Sequence, residues 1–158
     1  MPEPITLFWS GGKDSVLAFW ALRTMPQYET ARLLATLSAP TASVPLHGVP
    51  GALLEAQAEA LALPLTLVTL PDNPSNEAYR AGVGEALDIL PDDRVAFGDL
   101  FLRDVRRWRE EACAEWGVQP LFPLWGLETT ALARKFVADG FRAVVCAVDT
   151  QYLDAGLA

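Results

Sequence analysis

The sequence is poor in the residues that build disulfide frameworks, metal centres and nucleic-acid surfaces. Its two cysteines, Cys113 and Cys146, form neither a CxxC pair nor a disulfide framework. With a single histidine, His47, a Ser/His/Asp or Cys/His catalytic system has to be built around that residue. Twelve basic residues stand against twenty acidic ones, giving a net charge of −8, whereas a general nucleic-acid binder shows a basic footprint. These shortages argue against a disulfide-rich secreted protein and against a nucleic-acid partner.

Long apolar runs are also missing. The longest unbroken ones, such as residues 143–148, are far shorter than the ~18 residues that a membrane helix needs. Residues 1–4 lack the basic start and apolar core of a secretory signal. Because 51% of the chain is apolar and 20% is charged, its composition argues against disorder. We therefore expect a soluble, reduced, cytoplasmic protein whose residues 1–158 form a single domain without a membrane partner.

What the sequence contains is an alternation of strand-length apolar runs with longer segments of helical period. The predicted strands are residues 5–9, 33–37, 65–70, 95–97 and 141–148. The predicted helices are residues 14–23, 52–61, 77–90, 104–116 and 128–138, with residues 117–126 as an irregular connector. Continuous apolar strands are typical of a sheet covered on both faces. The pattern predicts an α/β fold, a three-layer sandwich around a parallel sheet.

In such folds, ligands bind beyond the carboxyl ends of the strands, where the strand order reverses. The loops that begin near Ser10, Ser38 and Gly98 are therefore the candidates for a site. Asp99 follows at the end of the fourth predicted strand, where its carboxylate could bind Mg²⁺ or a ribose. The alternative is that Gly98-Asp99 forms only a turn.

The loop after the first strand carries the strongest chemical signal, Ser10-Gly11-Gly12-Lys13-Asp14-Ser15. Paired glycines let backbone amides approach an anion closely, and the following helix adds free N–H groups and the positive end of its dipole. The two serines add hydroxyl donors and the lysine a full positive charge. A carboxylate beside a phosphate is favourable when Mg²⁺ lies between them, so Asp14 is predicted to be a metal ligand, or else to brace the loop. The alternative is a Gly-Gly turn with a capped helix; neither a Walker A loop nor a GxGxxG turn is present.

This loop resembles the PP-loop of the ATP pyrophosphatases, and further motifs resemble the diphthine–ammonia ligase group of that superfamily. Those motifs extend over nearly the whole chain: His47, residues 55–61 (EAQAEAL) with Leu63-Pro64, Phe97-Gly98-Asp99, Arg106, Trp108, Glu110, Cys113, residues 123–126 (PLWG) and residues 140–143 (GFRA).

The resemblance implies a Rossmann-like five-stranded parallel sheet of order 3-2-1-4-5, as in adenine nucleotide alpha hydrolases. It implies an ATP-dependent carbon–nitrogen ligase that adenylates a carboxylate, releases pyrophosphate and lets ammonia displace AMP. In the reaction that gives the diphthine–ammonia ligase group its name, the carboxylate is that of diphthine on elongation factor 2. ATP and Mg²⁺ are the implied cofactors, and a homodimer is left open. Members usually continue into a C-terminal segment with a GEFHT-like motif, which this sequence does not contain.

Residue types and resemblance together assign the candidate site residues. The catalytic candidates are Lys13, Asp14 and Asp99. The nucleotide-binding candidates are Ser10, Gly11, Gly12, Lys13, Asp14, Ser15, Ser38, His47, Gly98 and Arg106. The neighbouring arginines are assigned to a solvated helix face, while the tryptophans of strands and helices and both cysteines are assigned to packing.

Two other functions stay open at this point. The chain could be an ATP- or AMP-binding module of the same fold without catalysis, or a PP-loop enzyme with another acceptor, such as a tRNA or a small molecule.

Overall fold

The strands of the computed structural model, which describes residues 1–157, form one parallel sheet. They are β1 (Glu3–Phe8), β2 (Tyr28–Ser38), β3 (Leu65–Leu70), β4 (Arg94–Ala96) and β5 (Gln119–Leu121). The helices that alternate with them are α1 (Lys13–Leu22), α2 (Gly51–Leu61), α3 (Asn76–Asp88), α4 (Arg103–Glu115) and α5 (Thr129–Ala138). A short 3-10 turn follows at Ala155–Leu157.

The strand order is β3-β2-β1-β4-β5, so the fold class and the order expected from the sequence are confirmed. The chain builds outward from β1 to β3 and then returns to the other side of β1, where β4 pairs in parallel with it. The order therefore reverses between β1 and β4. The loops after these two strands lie at the position where ligands bind in open α/β sheets.

The predicted fifth strand is wrong. Residues 141–148 have no regular structure, and β5 lies instead inside the predicted connector, where Gln119–Leu121 pairs with Arg94–Ala96. A three-residue strand containing Pro120 is too short to show an apolar period, and proline is tolerated there because β5 is an edge strand. The 141–148 run stays accessible, with Val144 89% exposed and Cys146 exposed. The expectation that Cys146 lies on a packed apolar face is therefore wrong as well.

Two apolar clusters sandwich the sheet. One joins β1 to α1, α2 and α5 through residues such as Leu7, Leu17, Leu54 and Phe136. The other joins the opposite face to α3 and α4 through Leu34, Val83, Phe97 and Cys113. Burial raises the pKa of the Cys113 thiol to about 12, which keeps the thiol protonated and unreactive, as expected for a packing cysteine. The clusters account for the three predicted layers.

A buried polar contact ties three strands together near the amino end of β4. The Asp92 carboxylate accepts hydrogen bonds from Thr6 Oγ1 at 2.8 Å and from Arg32 Nε at 2.6 Å. Thr6 lies in β1, Arg32 in β2, and Asp92 just before β4. Within residues 1–157, no helix combines the length and apolar character required to cross a bilayer.

Candidate functional site

The SGGKDS loop, residues 10–15, connects β1 to α1 at the carboxyl edge of the sheet, as predicted. Gly11 has a φ of +73°, and a Cβ there would lie 2.6 Å from Leu54 Cδ2 and 2.8 Å from Gln57 Oε1. Glycine is therefore required at this position for its backbone conformation and for the space it leaves. Gly12 is the N-cap residue of α1 and has an extended backbone.

The loop is held from behind by Gln57 of α2. Its Oε1 accepts a hydrogen bond from Trp9 Nε1 at 2.9 Å, while its Nε2 donates to the Gly11 carbonyl at 3.2 Å. Gln57 belongs to the 55–61 motif named above, but the sequence carries no signal for these contacts, which join residues 46 and 48 positions apart. Gln57 therefore positions the loop through both the oxygen and the nitrogen of its side-chain amide.

The two serines of the loop contact each other and the backbone. The buried Ser15 hydroxyl donates to the Gly12 carbonyl at 2.8 Å, and Ser10 Oγ accepts a long hydrogen bond of 3.4 Å from the Gly12 amide. Here Ser15 braces the loop rather than offering its proton outward. The first α-helical bond of α1 runs from the Val16 amide to the Gly12 carbonyl. The amides of the three preceding residues thus have no partner within the helix and form an anion-binding end.

Lys13 and Asp14 form an ion pair at the entrance to this end of α1, with Nζ and Oδ1 2.6 Å apart. The lysine side chain is 52% exposed and the aspartate side chain 41%. Exposed ion pairs contribute little net stability, so each partner is free to exchange the other for a stronger ligand. The pair supplies one cation and one carboxylate where an anion bound to the helix would lie.

Gly98 brings the loop after β4 against the first turn of α1. A Cβ at Gly98 would lie 2.9 Å from the Asp14 carbonyl oxygen and 3.0 Å from the carbonyl carbon. These are backbone atoms, so a side chain at residue 98 would force the backbone itself to shift. This close approach places Asp99 beside Asp14. The sequence-based expectation that the two loops meet across the switch point is confirmed for these residues.

Two cavities open on either side of this contact, and Asp14, Gly98 and Asp99 line both of them. The one we call the loop cavity has a volume of about 430 Å³, and its other polar lining includes Ser10, Ser15, Thr36, His47, Tyr79 and Arg109. The one we call the α5 cavity has a volume of about 370 Å³, and its other lining is Lys13, Leu17, Leu100, Phe101, Leu102, Thr129, Leu132 and Ala133.

Arg109 is the main site residue that the sequence analysis missed. Its guanidinium lies 4.6 Å from the Phe97 ring centroid and 5.5 Å from that of Phe8, and its Nη1 donates to the Tyr79 hydroxyl at 3.4 Å. Assigning it to a solvated helix face is therefore wrong. The charged residues of α4 follow one another in the same way whichever face of the helix packs against the sheet. The sequence therefore carries no signal that Arg109 is turned toward the site.

Asp99 faces this arginine without forming a hydrogen bond. Arg109 Nε and Asp99 Oδ2 lie 3.5 Å apart, both atoms are buried, and neither has a hydrogen-bond partner within residues 1–157. Buried charged atoms left without a partner are costly. The pair therefore has unused binding capacity beside the cavity that both residues line.

The other predicted residues lie at different distances from the cavities. His47 is exposed and lines the loop cavity, whereas Ser38 is buried at the end of β2 and lines neither cavity. Arg106 also lines neither: its Nε donates to Glu110 at 2.7 Å, and its guanidinium stacks 4.7 Å from the Trp125 ring centroid. A phosphate contact by Arg106 stays a prediction that this geometry does not favour.

The residues brought together fit a nucleotide and Mg²⁺. Free amides and Lys13 match a phosphate chain, and Asp14 and Asp99 offer the oxygen ligands that Mg²⁺ prefers. No group of three His, Cys, Asp or Glu side chains able to hold a metal ion occurs in the described part of the chain. A cation held by two carboxylates would share phosphate oxygens and water, which is how Mg²⁺ commonly binds with nucleotides.

Comparison with solved structures supports the fold. The chain superimposes on the U34-tRNA thiolase NcsA from Methanococcus maripaludis, solved with its [4Fe-4S] cluster, with a TM-score of 0.51 and 17% identity. The match covers 98% of this chain and 61% of the thiolase chain, so this chain spans about three fifths of that protein's length. At this identity the likeness concerns the fold alone. No curated protein matches the sequence.

A family model supplies the closer relationship. The model for the diphthamide synthase N-terminal domain matches residues 4–120, a range that includes the SGGKDS loop, Gln57, Asp99 and Arg109 and covers well over half of the chain. The chain therefore belongs to the diphthamide synthase N-terminal domain family, a family of PP-loop modules that use ATP.

Proposed function

We propose that this protein is an ATP-dependent amide ligase that splits ATP into AMP and pyrophosphate while adenylating a carboxylate. The observation that carries the proposal is the meeting of the α1 amino terminus and Lys13 with Asp14 and Asp99 at the switch point of the sheet. Donors for an anion and ligands for a divalent cation then occur within one site. The activity of the family's name, amidation of diphthine on elongation factor 2, is one form of this reaction.

The phosphate chain is expected to bind along residues 10–15. The β- and γ-phosphates accept hydrogen bonds from the free amides at the start of α1, where the helix dipole also favours negative charge. Lys13 exchanges Asp14 for a phosphate oxygen, because a charge-assisted contact with a bound phosphate is stronger than an exposed ion pair. The same groups stabilise the charge that develops on departing pyrophosphate.

The carboxylates act on the other side of the phosphate chain. Asp14 and Asp99 are the residues that would hold Mg²⁺, which when bound neutralises charge on the phosphate oxygens. Arg109 keeps Asp99 close to its own guanidinium and adds a cation to the wall of the loop cavity. The ribose and base then occupy the loop cavity, whose polar lining and aromatic rings are suited to them.

The reaction proceeds in two substitutions. A carboxylate oxygen of the acceptor attacks the α-phosphorus, the bond from that phosphorus to the bridging oxygen breaks, and pyrophosphate leaves with the electron pair. Ammonia then attacks the acyl carbon, the bond from that carbon to the AMP oxygen breaks, and a proton passes from nitrogen to water. The products are an amide, AMP and pyrophosphate.

The test is a product analysis with α-labelled and γ-labelled ATP, ammonia and candidate acids, in which the wild type is expected to form labelled AMP and labelled pyrophosphate, respectively. Lys13→Ala is expected to lower the rate by about 10²–10³-fold, the cost of removing one preorganised donor to a developing anion. Lys135→Ala is the matched control, because Lys135 lies on α5, is paired with Asp139 and lines neither cavity.

Other outcomes distinguish the alternatives. Formation of ADP and phosphate would refute the proposal. Tight ATP binding without turnover on any acceptor would identify a nucleotide-binding module. Salt-dependent binding of tRNA would point to a tRNA acceptor, the substrate class named for the thiolase of similar fold.

A further inference from the structure

The α5 cavity has a polar wall and an apolar body. Its polar wall is shared with the loop cavity and consists of Asp14, Gly98 and Asp99, with Lys13 beside them. The remaining lining comes from α1, from the loop before α4 and from α5, and is apolar apart from Thr129: Leu17, Leu100, Phe101, Leu102, Leu132 and Ala133. A cavity with this division matches a molecule with one polar end and an apolar remainder.

The charges of the wall are paired locally. Lys13 Nζ lies 2.6 Å from Asp14 Oδ1, and Arg109 Nε lies 3.5 Å from Asp99 Oδ2. Lys13 also lines the α5 cavity, and its positive charge can attract an anion there. Because Asp14 and Asp99 would both hold Mg²⁺ in the proposed site, the wall favours an anionic ligand over a second cationic one.

Two exposed apolar side chains line this cavity. Phe101 is 58% exposed and Leu102 57% exposed, although α4 begins directly after them and buries other apolar residues against the sheet. Large apolar side chains left in contact with water beside a cavity are a feature of ligand sites. The volume of about 370 Å³ lies within the range of small-molecule pockets, about 300–1,000 Å³.

We propose that the α5 cavity binds the acceptor as a small carboxylic acid with an apolar body, its carboxylate at the shared wall and its body against Phe101, Leu102 and α5. This inference rests on the proposed function, because the shared wall is where the α-phosphate of ATP would lie. ATP enters from the loop cavity and the acid from the α5 cavity, so the carboxylate oxygen reaches the α-phosphorus of the bound nucleotide from the other side of the shared wall. Separate entrances also let the acid bind without displacing the nucleotide.

The test measures binding of hexanoate by saturation-transfer NMR, with and without α,β-methylene-ATP, an analogue whose bridging carbon prevents pyrophosphate release. Ala133→Trp fills the cavity from α5 and is expected to weaken hexanoate binding about tenfold or more, because the side chain occupies the space of the apolar body. Ala138→Trp is the matched control, since Ala138 is exposed on the same helix and lines neither cavity. Binding of the nucleotide analogue is expected to stay within about twofold in both variants.

A second variant tests the same cavity without adding a bulky side chain that could disturb the fold. Phe101→Ser removes an exposed ring, so the fold is retained, and it is expected to weaken hexanoate binding while leaving the melting temperature unchanged. Hexanamide, which has the same body without the charge, is expected to bind more weakly than hexanoate.

The outcomes separate the two proposals. If hexanoate does not bind to the wild type, or binds equally to wild type and Ala133→Trp, the acceptor site is refuted even when the nucleotide analogue binds. That result would leave a protein-borne acceptor or another segment of a longer chain as the occupant of the cavity. If hexanoate binding follows the variants but ATP is neither bound nor cleaved, the site stands as an acid-binding site and the proposed ligase fails.

Discussion

At the scale of single residues, the site depends on positions where a side chain is absent. Gly98 lets the loop after β4 touch the backbone of Asp14, and Gly11 lets Gln57 and Leu54 of α2 press against the SGGKDS loop. The contact at Gly98 involves backbone atoms that cannot move aside easily, and Gly11 has a φ of +73°, which disfavours residues with a side chain. The two glycines therefore set the distance between the anion-binding end of α1 and the carboxylates that accompany it.

Gly98→Ala is expected to weaken ATP binding and to destabilise the fold by about 1–3 kcal/mol, the usual cost of overpacking. The added methyl group would lie 2.9 Å from the Asp14 carbonyl oxygen, so the β4 loop or the first turn of α1 has to shift. Isothermal calorimetry and urea unfolding measure the two effects. Gly12→Ala is the comparison, because the nearest atom to its Cβ is 3.5 Å away and its φ is −90°. It should keep the wild-type stability, and equal stability of the two variants would contradict the steric account.

At the scale of elements, α5 shows how a helix can begin without a preferred capping residue. Glu128, at its N-cap, accepts hydrogen bonds from the amides of Thr130 and Ala131, both at 2.7 Å. These backbone hydrogen bonds hold the pKa of the Glu128 carboxyl below its ordinary value of 4.5. The cap thus favours the charged form at the start of the helix that lines the α5 cavity.

This lowered pKa predicts a pH-dependent contribution to stability. Because the folded-state pKa lies below the unfolded one, the contribution is present above about pH 4.5 and is lost as the pH falls through the folded value. Glu128→Gln, which removes the charge, is expected to melt at a lower temperature than the wild type at pH 7. The gap should narrow as the pH falls below about 4.5 and Glu128 becomes protonated.

Thermal unfolding followed by circular dichroism across this range measures the gap. Glu77→Gln is the control, since Ser75 rather than Glu77 caps α3 with its side chain. A gap between wild type and Glu128→Gln that stays constant from pH 7 to pH 3 would argue against the cap.

The glycines of α3 illustrate a second lesson at this scale. By helix propensity, Gly82 and Gly84 weaken the helix. A Cβ at Gly82 would lie 2.7 Å from Leu70 Cδ2, and one at Gly84 would lie 3.0 Å from the Trp116 ring. Their absent side chains let α3 pack closely against β3 and against the end of α4. Tertiary packing here outweighs local propensity.

At the scale of the whole molecule, the Asp92 cluster holds the sheet together across the switch point. Asp92 is buried, and its partners Thr6 and Arg32 come from the two strands that precede it by 86 and 60 residues. The cluster lies near the amino end of β4, away from the loops that form the site. It therefore concerns stability rather than chemistry.

Asp92→Ala is expected to lower the free energy of unfolding by about 3 kcal/mol, because it leaves the partly buried Arg32 and the buried Thr6 hydroxyl without their acceptor. Urea denaturation at neutral pH measures the loss. Asp93→Ala is the matched control, since Asp93 is exposed and the substitution keeps its backbone carbonyl, which accepts a hydrogen bond from the Gln119 amide. A loss of similar size in both variants would show that the segment, not the buried carboxylate, is responsible.

The sequence by itself determined the alternation of strands and helices, the SGGKDS loop after β1 and Gly98-Asp99 after β4. These features depend on neighbours in the chain: apolar period, glycine pairs and residues at strand ends. The tertiary structure decided β5, the buried position of Arg109, the brace from Gln57 and the two cavities that share Asp14 and Asp99. Each of these depends on contacts between residues far apart in sequence. A run such as residues 141–148 has the composition of a strand, but whether it becomes one depends on a partner with free backbone groups at the sheet edge.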